Sequence, residues 1–333
     1  MKPACNVATL IERYFTERLM RQCNVSPNTI ASYRDTFRLL FTFAQARLRK
    51  FPSDLALGDL DAPFIGAFLI DLETKRGASA KTRNLRLAAI RSFFRFVSFE
   101  EPAHSALIQR VLAIPSKRHD KRQVHFLMRP EIEAILAAPD RTAWLGRRDH
   151  TLLLVAVQTG LRLSELISLD RDAIHLGAGA YVRCVGKGRK ERTTPLTTLA
   201  RRALQAWLKE PVRKGGTALF PNVHGGRLSA DSVQSLLAKH VQVAGESCSS
   251  LKSKRVSPHV LRHSAAMELL QAGVHCSVIA LWLGHESIET TQTYLHAHLS
   301  LKEAALAKLK PYDRGKRTRF RPNDRLLAFL EAL

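Results

Sequence analysis

Acidic residues are scarce in this chain. Its 333 residues hold 29 Asp and Glu against 52 Lys and Arg, a formal net charge of +23. The shortage points to a polyanionic partner, because each Lys or Arg that neutralises a phosphate releases condensed counterions. Nucleic acid is the expected partner and an anionic membrane surface the competitor. The excess is spread along the chain, so it makes a whole-molecule field and not a local basic arm.

Long apolar runs are missing too. The most apolar stretch, Leu152 to Val157, falls far short of the ~20 residues that cross a bilayer, so no membrane span is expected. Glu12 and Arg13 interrupt the first apolar series, so no signal-peptide core forms there and the chain reads as cytoplasmic. Cysteine is sparse and odd in number: Cys5, Cys23, Cys184, Cys248 and Cys276 make no C-x-x-C pair, which argues against a zinc or dithiol site and for reduced thiols. Val185-Gly186-Lys187-Gly188 is not the G-x-x-x-x-G-K-[ST] loop of nucleotide hydrolases. His296-Ala297-His298 lacks the i, i+4 spacing and the third ligand of a zinc site, and no paired acidic cluster suggests a two-metal nuclease. Any chemistry is expected to be metal-free.

What is present is a folded protein, 45% hydrophobic and 24% charged, long enough for two domains at about 150 residues each. Helix starts are written at Thr9, at Ser26-Pro27 and at Ala62-Pro63, ahead of aromatic-rich apolar series. A fourth helix, Ser79 to Phe99, sets Leu87, Ile90, Phe94 and Val97 on an apolar face among Arg83, Arg86, Arg91 and Arg95. On local pattern those arginines form an ordinary solvated face. Residues 6–100 thus predict a small all-helical domain, and 101–123, with Pro102, Pro115 and the basic Lys117, Arg118, Lys121 and Arg122, an interdomain linker. Residues 124–310 predict a mostly helical second domain with a small antiparallel sheet: Tyr181 to Val185 alternates like a strand, and Gly186-Lys187-Gly188 turns it back through Arg192, Thr193 and Thr194. Residues 311–333 read as a basic tether and an amphipathic helix from Asn323 to Leu333 that needs a groove, on its own domain or on a neighbour.

Chemistry-bearing residues gather in the second domain. Arg162 follows the helix stop at Gly160, Lys187 sits in a glycine-flanked turn, and Ser257-Pro258 opens a helix whose first turns carry His259 and Arg262. His285 follows Leu283-Gly284, and Tyr294 comes nine residues later. Arginine forks near helix N-termini suit phosphate oxygens. Each residue alone has a plain structural reading: Arg162 as partner of Glu165, a histidine as a core hydrogen-bonder, a tyrosine as packing.

The ordered set Thr159 to Leu166, Val185 to Arg192, His259 to Ser264 and Leu283-Gly284-His285 through Tyr294 resembles the tyrosine recombinases, the phage-integrase-type family that includes the Xer-like enzymes. The resemblance also takes in Ser26 to Phe43 and Lys81 to Val97, in the style of the family's helical core-binding domain. It implies a mainly α protein with an all-helical core-binding domain and a mostly helical catalytic domain. It further implies cleavage and rejoining of duplex DNA at a specific site through a 3′-phosphotyrosyl link, with neither metal nor ATP nor other cofactor. By the resemblance Tyr294 is the nucleophile, Arg162 and Arg262 clamp the phosphate, Lys187 is the general acid with Lys190 as its rival, His259 is the acid/base partner, and His285 donates to the phosphate. Glu165 is expected to orient Arg162. His263 is expected to be structural, on a different helix face from Arg262. Lys81, Arg83, Arg86, Arg91, Arg95, Lys117, Arg118, Lys121 and Arg122 become candidate DNA-backbone contacts. Four protomers, of one kind or of related recombinases, are expected on DNA, with a mobile element as the setting. A type IB topoisomerase and a catalytically inert accessory protein are the alternative classes.

Overall fold

A computed structural model describes residues 6–119, 124–186, 190–212, 215–287, 289–291 and 294. The tether and helix expected over 311–333 lie outside the described residues, as do Lys121, Arg122 and Lys187. The chain divides into two compact units, Met1–Lys121 and Arg122–Leu333, and no described helix is long and apolar enough to cross a membrane.

The first unit is helical throughout. Helix α1 (Val7–Arg13) is capped by Asn6, not at Thr9, and widens into a π-helical stretch, Tyr14–Gln22. Helices α2 (Pro27–Leu48), α3 (Ala62–Thr74) and α4 (Ala80–Glu100) each begin on a side chain that accepts an otherwise unpaired N–H: Ser26, Asp61 and Ser79. Their buried faces meet in an aromatic core where Phe37, Phe93 and Tyr14 pack edge to face at centroid distances of 5.4 to 6.3 Å.

The segment expected to be a linker differs from that reading. Pro102 opens a 3₁₀ turn rather than breaking the chain, and helix α5 (Ser105–Leu112) follows, with Ile108 and Val111 fully buried in the first unit's core. Two buried side chains three positions apart are one turn of an apolar face, masked in the sequence by flanking prolines. Beyond α5 the chain stays tied to α4: Asn84 exchanges hydrogen bonds with the backbone of Lys117, at 2.7 and 3.0 Å. Ile108→Val should therefore lower the stability of the first unit by about 0.5–1.5 kcal/mol in denaturant unfolding; an unchanged midpoint would detach α5 from the core.

The second unit is built around α7 (Trp144–Thr159), buried on nearly every side through Leu152, Leu153, Val155 and Val157. Its charged residues are satisfied internally: Asp149 takes Arg148 on one oxygen at 2.7 Å and His240 of α10 (Ala230–Ser247) on the other at 2.9 Å. Helices α6 (Arg129–Ala137), α8 (Leu163–Ser168), α9 (Thr198–Leu208), α11 (Pro258–Gln271) and α12 (Cys276–Leu283) surround it. The sheet is antiparallel in the order β1 (Ile174–His175), β2 (Tyr181–Val185), β3 (Glu191–Pro195), so the expected hairpin gains one short edge strand. Cys184 faces Arg192 in the β2–β3 register.

Candidate active site

The site is organised on a buried carboxylate. α7 stops at Gly160, whose φ of +62° strains any other residue and which packs against the side chains of Leu283 and Ala265. The sharp turn that follows makes Arg162 the residue before α8, and Glu165, in the first turn, reaches back to the Arg162 N–H at 2.7 Å. Glu165 is 3% exposed and takes Arg162 Nη1 at 2.9 Å on Oε1, while Arg192 from β3 donates to both oxygens at 2.9 and 2.7 Å. Burial pushes this carboxyl upward, but the Arg192 and Arg162 donors outweigh it and hold it below the usual glutamate range.

The end of α12 gathers the two candidate phosphate arginines. Arg262 Nη2 donates to the Leu283 carbonyl at 2.8 Å, and Arg162 Nη2 donates to the next carbonyl, Gly284, at 2.9 Å. These are final carbonyls without helical partners, at the negative end of the helix dipole, so they suit cations. Arg262 also donates from Nη1 to Gly160 at 2.7 Å. It is buried, and burial together with its neighbour Arg162 lowers its pKa to about 10. Three guanidiniums against one carboxylate leave a net positive cluster, and among the described residues Arg162 donates from its side chain to Glu165 and Gly284 while that side chain stays 26% exposed.

Tyr294 borders this cluster and is 3% exposed. Its ring stacks on His285, at 6.4 Å and 16°, and meets His263 edge-on, at 5.6 Å and 60°. Its hydroxyl lies 2.9 Å from His263 Nδ1, and burial raises its pKa. His285 Nδ1 bonds the Thr291 hydroxyl at 2.7 Å. Burial first, then neighbouring cationic and imidazole groups, bring both histidines down to about 4, so both rings are neutral at pH 7.

Of the residues expected to act together, Arg162, Arg262, His285 and Tyr294 are thus neighbours. His259 is exposed on the first turn of α11. Gly186 N–H donates to the Lys190 carbonyl at 2.8 Å, and Lys190 itself is exposed; Lys187 lies outside the described residues. Two residues were missed. His263 does lie off the Arg262 face, but it stands four residues after His259, hence on His259's face, and it reaches the nucleophile candidate. Arg192 carries only a strand signal in the sequence; a charge two positions before the buried Thr194 on β3 stands on the inward face, where it requires an acid.

The candidate DNA contacts divide. Lys81, Arg95 and Arg118 are exposed, and Lys117 is exposed but paired with Glu73 at 2.7 Å. Arg83 is a correction: it is 7% exposed and donates to the Pro115 carbonyl at 2.9 Å, because it shares the inward stripe with Leu87 and Ile90. Arg86 likewise points inward, donating to the Ser32 carbonyl and the Thr36 hydroxyl, each at 3.0 Å. Arg91 is half-buried and donates to the Ile114 carbonyl.

Fixed guanidiniums beside a buried tyrosine and two neutral imidazoles are groups chemically suited to phosphate. Comparison with known proteins gives the family. Residues 125–300 match the model of the phage integrase family, and residues 11–101 match the phage integrase N-terminal SAM-like domain. A Sinorhizobium fredii protein, named by inference as integrase/recombinase y4rC, is 59% identical over 333 residues, all of both chains. The tyrosine recombinase XerC of Pelotomaculum thermopropionicum is 35% identical over 302 residues, covering 88% of this chain and 95% of its own. In fold, the chain is similar to the XerH site-specific recombinase in a post-cleavage complex with its difH substrate. That match has a TM-score of 0.68 and 23% identity, over 92% of this chain and 85% of the other. The chain belongs to the phage integrase family. It is a Xer-like tyrosine recombinase, an enzyme of site-specific DNA recombination.

Proposed function

We propose that this recombinase cuts and rejoins duplex DNA through a 3′-phosphotyrosyl intermediate on Tyr294. The observation that carries this reading is the pairing of Arg162 and Arg262 on successive carbonyls, Gly284 and Leu283, directly before His285. That arrangement fixes two guanidiniums where charge develops on a phosphorane, with no reorganisation needed at the moment of reaction. In cleavage the Tyr294 Oη–P bond forms as the P–O5′ bond breaks. The phenol proton passes to His259, and the leaving 5′-oxygen takes a proton from Lys187. Rejoining runs the same steps backward, and the phosphotyrosyl link conserves the bond energy without ATP. His285 hydrogen-bonds the phosphate.

Exchange between two duplexes needs four cleavages, so the working assembly has four protomers. The exposed cations Lys81, Arg95 and Arg118 meet the DNA backbone. Lys81→Ala should flatten the slope of log K against log salt by about 0.9. An unchanged slope removes Lys81 from the contact surface.

The test of the whole reading is covalent trapping on a nicked suicide duplex carrying the cognate site. Denaturing electrophoresis should show a protein–DNA adduct, and mass mapping should place the nucleotide on the peptide holding Tyr294. Plasmid relaxation without recombinant product would instead assign a topoisomerase.

A further inference from the structure

The hydroxyl of Tyr294 has one hydrogen-bond partner among the described residues, His263, and the reading above gives that residue no role. The contact is specific in both atom and ring geometry. Nδ1 lies 2.9 Å from the hydroxyl oxygen, while the imidazole edge meets the phenol ring at 60°. The backbone on the histidine side is fixed. His263 sits mid-helix in α11, between the buried Arg262 and the fully buried Ser264. Ser264 in turn takes the N–H of Leu127 at 2.8 Å and donates to the Val260 carbonyl at 2.8 Å. Two further neighbours define the tyrosine's other side, the stacked ring of His285 and the charge of Arg262.

We propose that His263 is the positioning residue for the nucleophile: its hydrogen bond at Nδ1 sets the direction of the Tyr294 hydroxyl, and with it the line along which the oxygen meets phosphorus. The stack on His285 confines the phenol ring but leaves rotation of the O–H free, because a ring face has no directional hold on the hydroxyl. Nδ1 supplies that hold by donating its N–H to the oxygen, which leaves the phenol's own proton to pass to His259. An oxygen whose hydrogen-bond direction is fixed has fixed lone pairs, and in-line displacement at phosphorus depends on their direction.

The same geometry does not make His263 the base. Burial, with His259 and Arg262 nearby, keeps the ring neutral, and with Nδ1–H donating to the phenol oxygen the ring offers that oxygen no acceptor. Orientation is the role that remains, with proton removal left to His259, one turn earlier on the same face of α11. This inference rests on Tyr294 being the nucleophile, and its test separates the two claims.

Wild type, Tyr294→Phe, His263→Phe and His263→Asn are compared in single-turnover adduct formation on the nicked duplex at saturating protein. Formation of the wild-type adduct and its absence in Tyr294→Phe secure the nucleophile; failure of either sinks that reading before His263 is at issue. His263→Phe keeps an aromatic ring and loses the polar atom. It should bind the duplex as wild type does in gel shift and form adduct about 10- to 100-fold more slowly. His263→Asn carries an amide near the place of Nδ1 and should recover most of the rate, which mere space-filling would not predict. Thermal melting of each variant identifies one that has failed to fold, and for such a variant the rate is read on the other. Wild-type or faster cleavage by His263→Phe overturns the proposal, as does an equal loss in both variants with binding intact.

Discussion

Tyr294→Phe should bind its DNA site as tightly as the wild type and yield no covalent adduct. The substitution removes a single oxygen from a residue that is 3% exposed, and the ring contacts with His285 and His263 are unchanged in shape. What is lost is the hydrogen bond to His263, a cost to stability of about 0.5–1.5 kcal/mol. Binding depends on charge elsewhere, so gel-shift affinity and its salt dependence should be those of the parent protein. The chemical loss is total because no other described phenol is placed to replace it. Tyr14 belongs to the first unit's core, where its hydroxyl donates to Ser92 at 2.7 Å, and Tyr181 lies on β2 against His175. Adduct in Tyr294→Phe, seen on a nicked duplex by denaturing electrophoresis, would move the nucleophile to another residue.

The candidate cluster is legible in the sequence to the extent that its members carry local signals. Gly160 and Gly284 end helices in left-handed conformations, and Ser257-Pro258 begins one, so the ends that present Arg162, His285 and Arg262 are written into short stretches of chain. Charge identity then marks these residues for phosphate. Arg192 and His263 lack such signals, because their roles come from what folding places opposite them: a carboxylate from α8 for one, a phenol distant in sequence for the other. Arg83 shows the reverse error. Its residue type suggested DNA, but the 3.6-residue period turns it inward, where the Pro115 carbonyl takes its N–H. Residue type proposes chemistry, whereas helical phase decides whether a side chain can reach a ligand.

Glu165→Gln should be the most destabilising single change in the second unit's site and should also abolish efficient cleavage. The carboxylate stands between Arg162 and Arg192, with Arg262 close by, and among the described residues it is the anion in direct contact with the first two. Neutralising it keeps the volume but leaves the largely buried Arg192 and the half-buried Arg162 facing one another, with an amide N–H₂ turned toward one of them. Breaking a buried pair from one side costs about 3–5 kcal/mol, since the remaining charge has no compensation. Denaturant unfolding should register that loss at pH 7. Linkage gives the sign with acid: the folded-state pKa of Glu165 is depressed, so its contribution is complete above the unfolded value near 4.3 and is lost as pH falls through the folded pKa. Wild type and Glu165→Gln should accordingly converge in stability toward strongly acid pH. Combining Glu165→Gln with Arg192→Met should cost less than the sum of the two changes, because the second removes the cation that the first left unpaired. Strict additivity would mean that Arg192 and Glu165 stabilise the unit independently, and their direct pairing would then carry no coupling energy.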